Sequence, residues 1–318
     1  LHFLFIFPVY VFYLRFRFML PFSILDQDFL FCCYILVIFY HYIPVIGGTF
    51  QQVLSHRHFP RHFLPGLFFC LLLGGNVNSS TVDKGDNNAP FENKRTETDY
   101  LPIADPFVML YNNKYYAYGT GGTVNEGFAC FSSDDLKNWK RERQALSADD
   151  SYGKWGFWAP EVYYIQSKKK FYMFYSVEEH ICVATSDSPV GPFRQESKQP
   201  IWEEKSIDTS LFIDDDGTPY LYFVRFTDGN VIWVAQMTDD LMKIKKETLS
   251  ECIKAEEPWE LLQAKVAEGP SVLKKKGMYY LIYSANHYQN KGYGVGYATS
   301  KSPMGPWTKY DKNPLLQG

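Results

Sequence analysis

Ala104-Asp105-Pro106, then Lys114-Tyr115-Tyr116-Ala117-Tyr118, then Ser132-Ser133-Asp134-Asp135-Leu136: an acidic lead, an aromatic strand and a closing turn form a unit that the chain repeats. The further leads are Ala159-Pro160-Glu161, Ile207-Asp208-Thr209 and Ala267-Glu268-Gly269-Pro270. Their aromatic strands include Lys170-Phe171-Tyr172-Met173-Phe174-Tyr175, Pro219-Tyr220-Leu221-Tyr222-Phe223 and Met278-Tyr279-Tyr280-Leu281-Ile282-Tyr283. Thr185-Ser186-Asp187-Ser188-Pro189, Thr238-Asp239-Asp240-Leu241 and Thr299-Ser300-Lys301-Ser302-Pro303 close them, and all four closings are expected to be turns of one type. Self-similarity at a period of about fifty to sixty residues marks a repeat architecture.

Within each unit, residues 112–114, 167–170, 214–217 and 274–277 carry hairpin-turn chemistry between short strands. The pattern is all-β, with four-stranded blades around an axis, a β-propeller. The first strand of a blade lines the central channel. Asp105, Glu161, Asp208 and Glu268 open these strands and are expected to keep one phase, ringing one mouth. Carboxylates crowded there repel one another and do not all ionise normally, which makes an acid and a base from one residue type. That arrangement points to sugar hydrolysis.

Composition narrows the alternatives. The chain has 318 residues, 18% of them aromatic, and a net charge of -3 that suggests no nucleic-acid or other polyanionic partner. Six cysteines show neither a CxxC pair nor metal-ligand spacing and read as free thiols. No Gly-His to Trp-Asp pattern recurs, which disfavours a WD-repeat interaction propeller.

Residues 1–80 form an apolar leader unlike the rest of the chain. Arg57 and Arg61, the apolar run 63–73 and the small, polar exit 74–80 have the layout of a secretory signal near 56–78. The expectation is export, with residues 1–55 an over-extended reading frame; the rival is a membrane anchor in the same leader. Residues 81–99 read as a polar linker, and 100–318 as the propeller domain.

At Ala104-Asp105-Pro106, Trp158-Ala159-Pro160-Glu161, Ser206-Ile207-Asp208-Thr209-Ser210-Leu211-Phe212 and Glu268-Gly269-Pro270-Ser271 the sequence resembles glycoside hydrolase family 43. The turns Ser188-Pro189-Val190-Gly191-Pro192-Phe193 and Ser302-Pro303-Met304-Gly305-Pro306-Trp307 are similar as well. The resemblance implies a five-bladed propeller, of which four blades are legible; Asn313-Pro314-Leu315 reads as entry into a fifth, truncated at the C-terminus. It implies Asp105 as general base, Asp208 as the carboxylate that tunes the acid, and Glu268 as general acid. It implies inverting hydrolysis, with carboxyl groups roughly 6.5–9.5 Å apart. The implied substrate is an arabinose- or xylose-containing oligo- or polysaccharide, trimmed by an α-L-arabinofuranosidase or β-xylosidase. An endo-arabinanase and a non-catalytic glycan-binding propeller are the alternatives. No cofactor is needed for this chemistry; family members often hold a channel ion through a histidine of the fifth blade, which leaves a structural ion such as calcium open here.

Sugar rings stack on aromatic faces, and Trp155, Phe157, Trp158, Trp202 and Trp233 are the candidates, with Trp158 leading because it precedes Glu161 by three residues. Glu161, Arg225 and His287 complete the substrate-binding expectation. Asp214-Asp215-Asp216-Gly217 is too short for an EF-hand and reads as a solvated hairpin turn. Residues 247–265, the longest insertion between blades, are expected to wall off a pocket.

Overall fold

The computed structural model describes residues 15–16, 101–121 and 126–317. Apart from residues 15–16, the leader lies outside them, as do the signal, the linker and any burial of 29–46. Strand Arg15–Phe16 (β1) pairs in parallel with the next strand, Ile103–Tyr111 (β2).

Strand β2 begins the first of four sheets, continuing antiparallel through Lys114–Gly121 (β3), Gly127–Ser133 (β4) and Lys140–Ser147 (β5). The second sheet is Trp158–Ile165 (β6), Lys170–Val177 (β7) and His180–Ser186 (β8). Ser206–Ile213 (β9), Pro219–Arg225 (β10), Val231–Gln236 (β11) and Ser250–Ile253 (β12) form the third. The fourth is Ala267–Lys275 (β13), Met278–Ala285 (β14), Gly294–Ser300 (β15) and Thr308–Lys309 (β16), with Leu316–Gln317 (β17) also pairing to β15. These are blades I to IV of a β-propeller, in chain order. Blade II lacks a regular fourth strand. Its outer segment carries Pro189, Pro192 and Pro200, which have no N–H to donate, and pairing there shrinks to a bridge between Thr185 and Arg194.

Local chemistry explains the turns. Asn112 and Asn113 link β2 to β3 with φ of 49° and 59°, the left-handed pair of a two-residue I′ turn that asparagine tolerates. The closing turns, however, are of two types that alternate. In blades I and III the Asp135 and Asp240 carboxylates accept amides of the turn, followed by left-handed Leu136 and Leu241. In blades II and IV Ser188 and Ser302 serve that purpose before a Gly-Pro pair. The two types are stitched across blades: the Tyr118 hydroxyl donates to the Pro189 carbonyl, and Tyr222 to that of Pro303.

Aromatic side chains fill the space between blades. Phe107 of β2 packs on Tyr163 of β6, with ring centroids 5.3 Å apart, and Tyr222 of β10 meets Trp307 edge-on at 6.2 Å. Phe157, Phe174, Tyr175 and Phe223 are wholly buried.

The long insertion docks on the blades. Its first part supplies β12. Its second holds the short 3-10 turn Pro258–Glu260 against blade IV, where the Trp259 ring covers Gly294 and Gly296. A side chain at either glycine would enter the indole, with a Cβ about 3 Å from it. Glu260 is fully buried and accepts from Tyr283 (2.6 Å), Lys309 (2.6 Å) and the amides of Glu256 (2.7 Å) and Glu257 (2.8 Å). This clamp fixes the chain a few residues before β13. Replacing Glu260 by Ala leaves the half-buried Lys309 ammonium with only the Lys254 carbonyl and takes the main acceptor of the buried Tyr283 phenol, so Glu260→Ala should cost about 3 kcal/mol in urea-induced unfolding.

Candidate active site

The first strand of every blade carries the same irregularity. Between Ala104 and Phe107, Trp158 and Glu161, Ile207 and Ser210, and Glu268 and Ser271, two residues oppose one on the neighbouring strand. The first extra residue is left-handed in each: Asp105 at φ 45°, Ala159 at 46°, Asp208 at 57° and Gly269 at 62°. Proline fills the second extra position in blades I, II and IV, where no ladder hydrogen bond is lost. Three non-glycine residues in this conformation, repeated at one place, concentrate backbone strain there.

Aligned on the bulge, the four acids do not share one phase. Asp105 and Asp208 occupy the left-handed residue, Glu268 precedes it and Glu161 follows it by two. A short carboxylate is tolerated at positive φ, whereas the longer Glu268 stands beside a glycine that takes the turn.

Side chains of one blade hold the bulge of the next. Thr120 Oγ accepts the Ala159 amide at 2.9 Å, and Ser176 Oγ accepts the Asp208 amide at 3.0 Å. The third blade has Val224 at that position, and there Asp208 Oδ2 itself accepts the Gly269 amide at 2.9 Å. Thr120 also donates to Asp105 Oδ2 at 2.8 Å.

Glu268 is gripped from both sides. Asn230, in the hairpin between β10 and β11, donates to Oε2 at 3.0 Å; Tyr293, just before β15, donates to Oε1 at 2.6 Å. Burial pushes its carboxyl up to about 8, reinforced by the negative charges of Asp208 and, less strongly, Asp105; the bonds from Tyr293 and Asn230 pull the other way. Asp105, Asp208 and Glu268 are therefore electrostatic neighbours, drawn together from blades I, III and IV.

The remaining sequence candidates are placed differently. Glu161 is only 3% exposed; it accepts from Tyr163, whose hydroxyl also takes the Leu211 amide at 3.0 Å, a link between blades II and III. Trp158 is half-buried, its ring against Gly156. Arg225 donates to Glu204 at 2.6 Å and lies over the rings of Trp233 and Trp202, 4.6 and 5.4 Å from their centroids. His287 is half-buried and stacks on exposed Tyr288. Phe157 and Trp202 belong to the core, while Trp155 is 51% exposed. The acidic run does form a hairpin turn, with Asp215, Asp216 and Gly217 exposed, but Asp214 is not solvated: it binds Lys274 (2.7 Å) and Tyr279 (2.5 Å) of blade IV. Among the described residues no cluster of three or more His, Cys, Asp or Glu side chains could hold a metal ion.

Thr120, Ser176, Asn230 and Tyr293 escaped the sequence reading. The two hydroxyls do have a signal, a Thr or Ser near the end of the aromatic strand. Asn230 and Tyr293 have none, because the hairpins that carry them differ in length.

Known proteins show the same frame. A crystal structure described as an endo-1,4-beta-xylanase from Bacteroides thetaiotaomicron VPI-5482 is 85% identical, with TM-score 0.68, over 70% of this chain and 77% of that one. A thermostable family-43 glycoside hydrolase is 36% identical, with TM-score 0.64, over 70% and 76%. Beta-D-galactofuranosidase xynD of Aspergillus niger is 27% identical over 68% of this chain, which spans 65% of that protein's length. Residues 101–318, which hold the four bulged strands and their carboxylates, match the family described as Glycosyl hydrolases family 43, and the chain belongs to it.

Proposed function

We propose that this protein is a glycosidase that hydrolyses glycosidic bonds of xylose- or arabinose-containing plant polysaccharide by inverting general acid/base catalysis. One observation carries the reading: Glu268 is a carboxyl group raised to about 8 by burial and by two neighbouring carboxylates. Such a group stays protonated at neutral pH and can give its proton to a leaving oxygen. Asp105, with Oδ2 held by Thr120, serves as the base that deprotonates the attacking water. Asp208 raises and positions Glu268 while clasping the Gly269 amide. Inversion follows from direct displacement by water, the geometry in which acid and base flank the sugar from opposite sides. No cofactor enters these steps.

Likeness to the Bacteroides endo-1,4-beta-xylanase supports xylan or its oligosaccharides as the first substrate to test. A screen on xylan, debranched arabinan, p-nitrophenyl arabinofuranoside and p-nitrophenyl xyloside separates it from the arabinofuranosidase and endo-arabinanase alternatives. Export is part of the same proposal; the secretory-signal layout near residues 56–78 supports it and would bring the enzyme to such polymers.

Glu268→Gln is expected to lower kcat/KM on the natural polymer by about 10²–10⁴-fold and to spare nitrophenyl glycosides, whose leaving groups need little protonation. Equal loss on both would remove Glu268 from the acid role. Asp105→Asn should abolish turnover of both kinds of substrate, and proton NMR of the wild-type reaction should show the inverted anomer first.

The sign of the pH dependence follows from the same group. Activity needs protonated Glu268, so it is present below the pKa of that residue and lost as pH rises through it. Asp208→Asn removes a charge that raises this pKa, and the alkaline limb of the rate profile should move to lower pH. The amide oxygen can still accept from Gly269, so thermal stability should change little; an unmoved limb would contradict the assigned role of Asp208.

A further inference from the structure

We propose that Asn230 and Tyr293 divide the two oxygens of Glu268 between them, so that Asn230 holds the transferable proton on Oε1 and Tyr293 stabilises the charge left there when the proton departs. This rests on Glu268 being the general acid. Asn230 Nδ2 lies 3.0 Å from Oε2 and Tyr293 Oη 2.6 Å from Oε1. A side-chain amide nitrogen only donates, so Oε2 is kept as an acceptor and the proton belongs on Oε1. A protonated Oε1 retains a lone pair, to which the Tyr293 hydroxyl donates.

During reaction the Oε1–H bond breaks and its electron pair remains on Glu268, while the proton goes to the glycosidic oxygen. The bond from the anomeric carbon to that oxygen breaks, its pair leaving with the oxygen. A water oxygen bonds to the anomeric carbon and passes a proton to Asp105. The Tyr293 bond then changes from neutral to charge-assisted, which makes it stronger in the transition state than in the ground state. Both residues are thus positioning residues whose effect grows as the proton leaves.

The backbone is built to hold them. The Asn230 amide donates to the Lys265 carbonyl (3.0 Å), and its carbonyl accepts the Ala267 amide (2.9 Å), one residue before Glu268. Asn286, at the start of the hairpin that ends in Tyr293, accepts the amides of Gln263 (2.8 Å) and Ala264 (3.2 Å). Both hairpins are therefore tied to the lead-in of β13. Facing Glu268 are Asp208 from β9 and Asp105 from β2, which oppose its ionisation, and Tyr293 and Asn230, which favour it. Lys265 and Asp228, on the Asn230 side, neutralise each other as an ion pair. His287, in the Tyr293 hairpin, uses Nδ1 to accept the Gln289 amide at 3.2 Å.

The test is the pH profile of kcat/KM for the full chain, on an oligosaccharide and on a nitrophenyl glycoside that it cleaves, in wild type, Glu268→Gln, Tyr293→Phe and Asn230→Ala. Glu268→Gln should erase the alkaline limb. Tyr293→Phe should move that limb up by about one pH unit and slow the oligosaccharide about tenfold more than the activated substrate. Asn230→Ala, whose main-chain bonds remain, should shift the limb in the same direction and serves as the reading if Tyr293→Phe lowers the unfolding midpoint. A limb that vanishes in Glu268→Gln but stays put in both other variants, or equal slowing of the two substrates, overturns the proposal alone. A limb that persists in Glu268→Gln overturns the acid assignment and the proposal with it.

Discussion

The arrangement of this propeller turns on one kind of backbone amide, the N–H of the left-handed residue at the bulge of each first strand. A bulge leaves its extra residue outside the regular ladder, and a buried amide without a partner is costly. In blades II, III and IV that partner comes from the preceding blade: Thr120, Ser176 and Asp208 in turn. The blades are thus joined where their channel-lining strands begin, by bonds that also set the directions of the acids. One of these acceptors touches a carboxylate, since Thr120 also donates to Asp105, and another, Asp208, is itself a carboxylate.

Asp208 carries two duties because its blade lacks the hydroxyl that blades I and II place near the end of their second strand. Thr120 and Ser176 sit opposite Ala104 and Trp158; the matching partner of Ile207 is Val224, which has nothing to offer an amide. A carboxylate reaching forward fills that role and at once places a negative charge beside Glu268. Structure and electrostatics are here one interaction, and the neighbour that fastens blade IV adds to burial in raising the Glu268 carboxyl.

Much of this was legible in the residue order. The four leads, the aromatic strands and the turn residues specified four blades, and Asp105, Asp208 and Glu268 were marked as the acids to be gathered. The phase of those acids was not legible, because counting along a strand assumes one side-chain step per residue and a bulge breaks the count. Glu161 shows the consequence: it shares the lead motif, yet two residues past the left-handed position it lies in the buried seam with Tyr163. Trp202 and Phe157 looked like sugar platforms from composition, but inter-blade packing claims aromatics first. Asn230 and Tyr293 sit in hairpins of unequal length, outside any repeat, and only the folded chain brings them to one carboxyl group.

The different side-chain lengths at the bulges follow from the same backbone. A left-handed residue is least strained as glycine or as a short polar side chain able to bond locally, which suits Asp105 and Asp208 better than a glutamate, although Ala159 takes the same conformation in blade II. An acid that must reach farther therefore moves one residue back, to a position of ordinary extended backbone, and hands the left-handed conformation to Gly269. That single step separates Glu268 from the aspartates along the strand and turns it toward the flanking hairpins instead of its own bulge. There it accepts from Asn230 and Tyr293. One conformational requirement, repeated four times and met by different residues, thus makes chemically unequal groups from equivalent places in the fold.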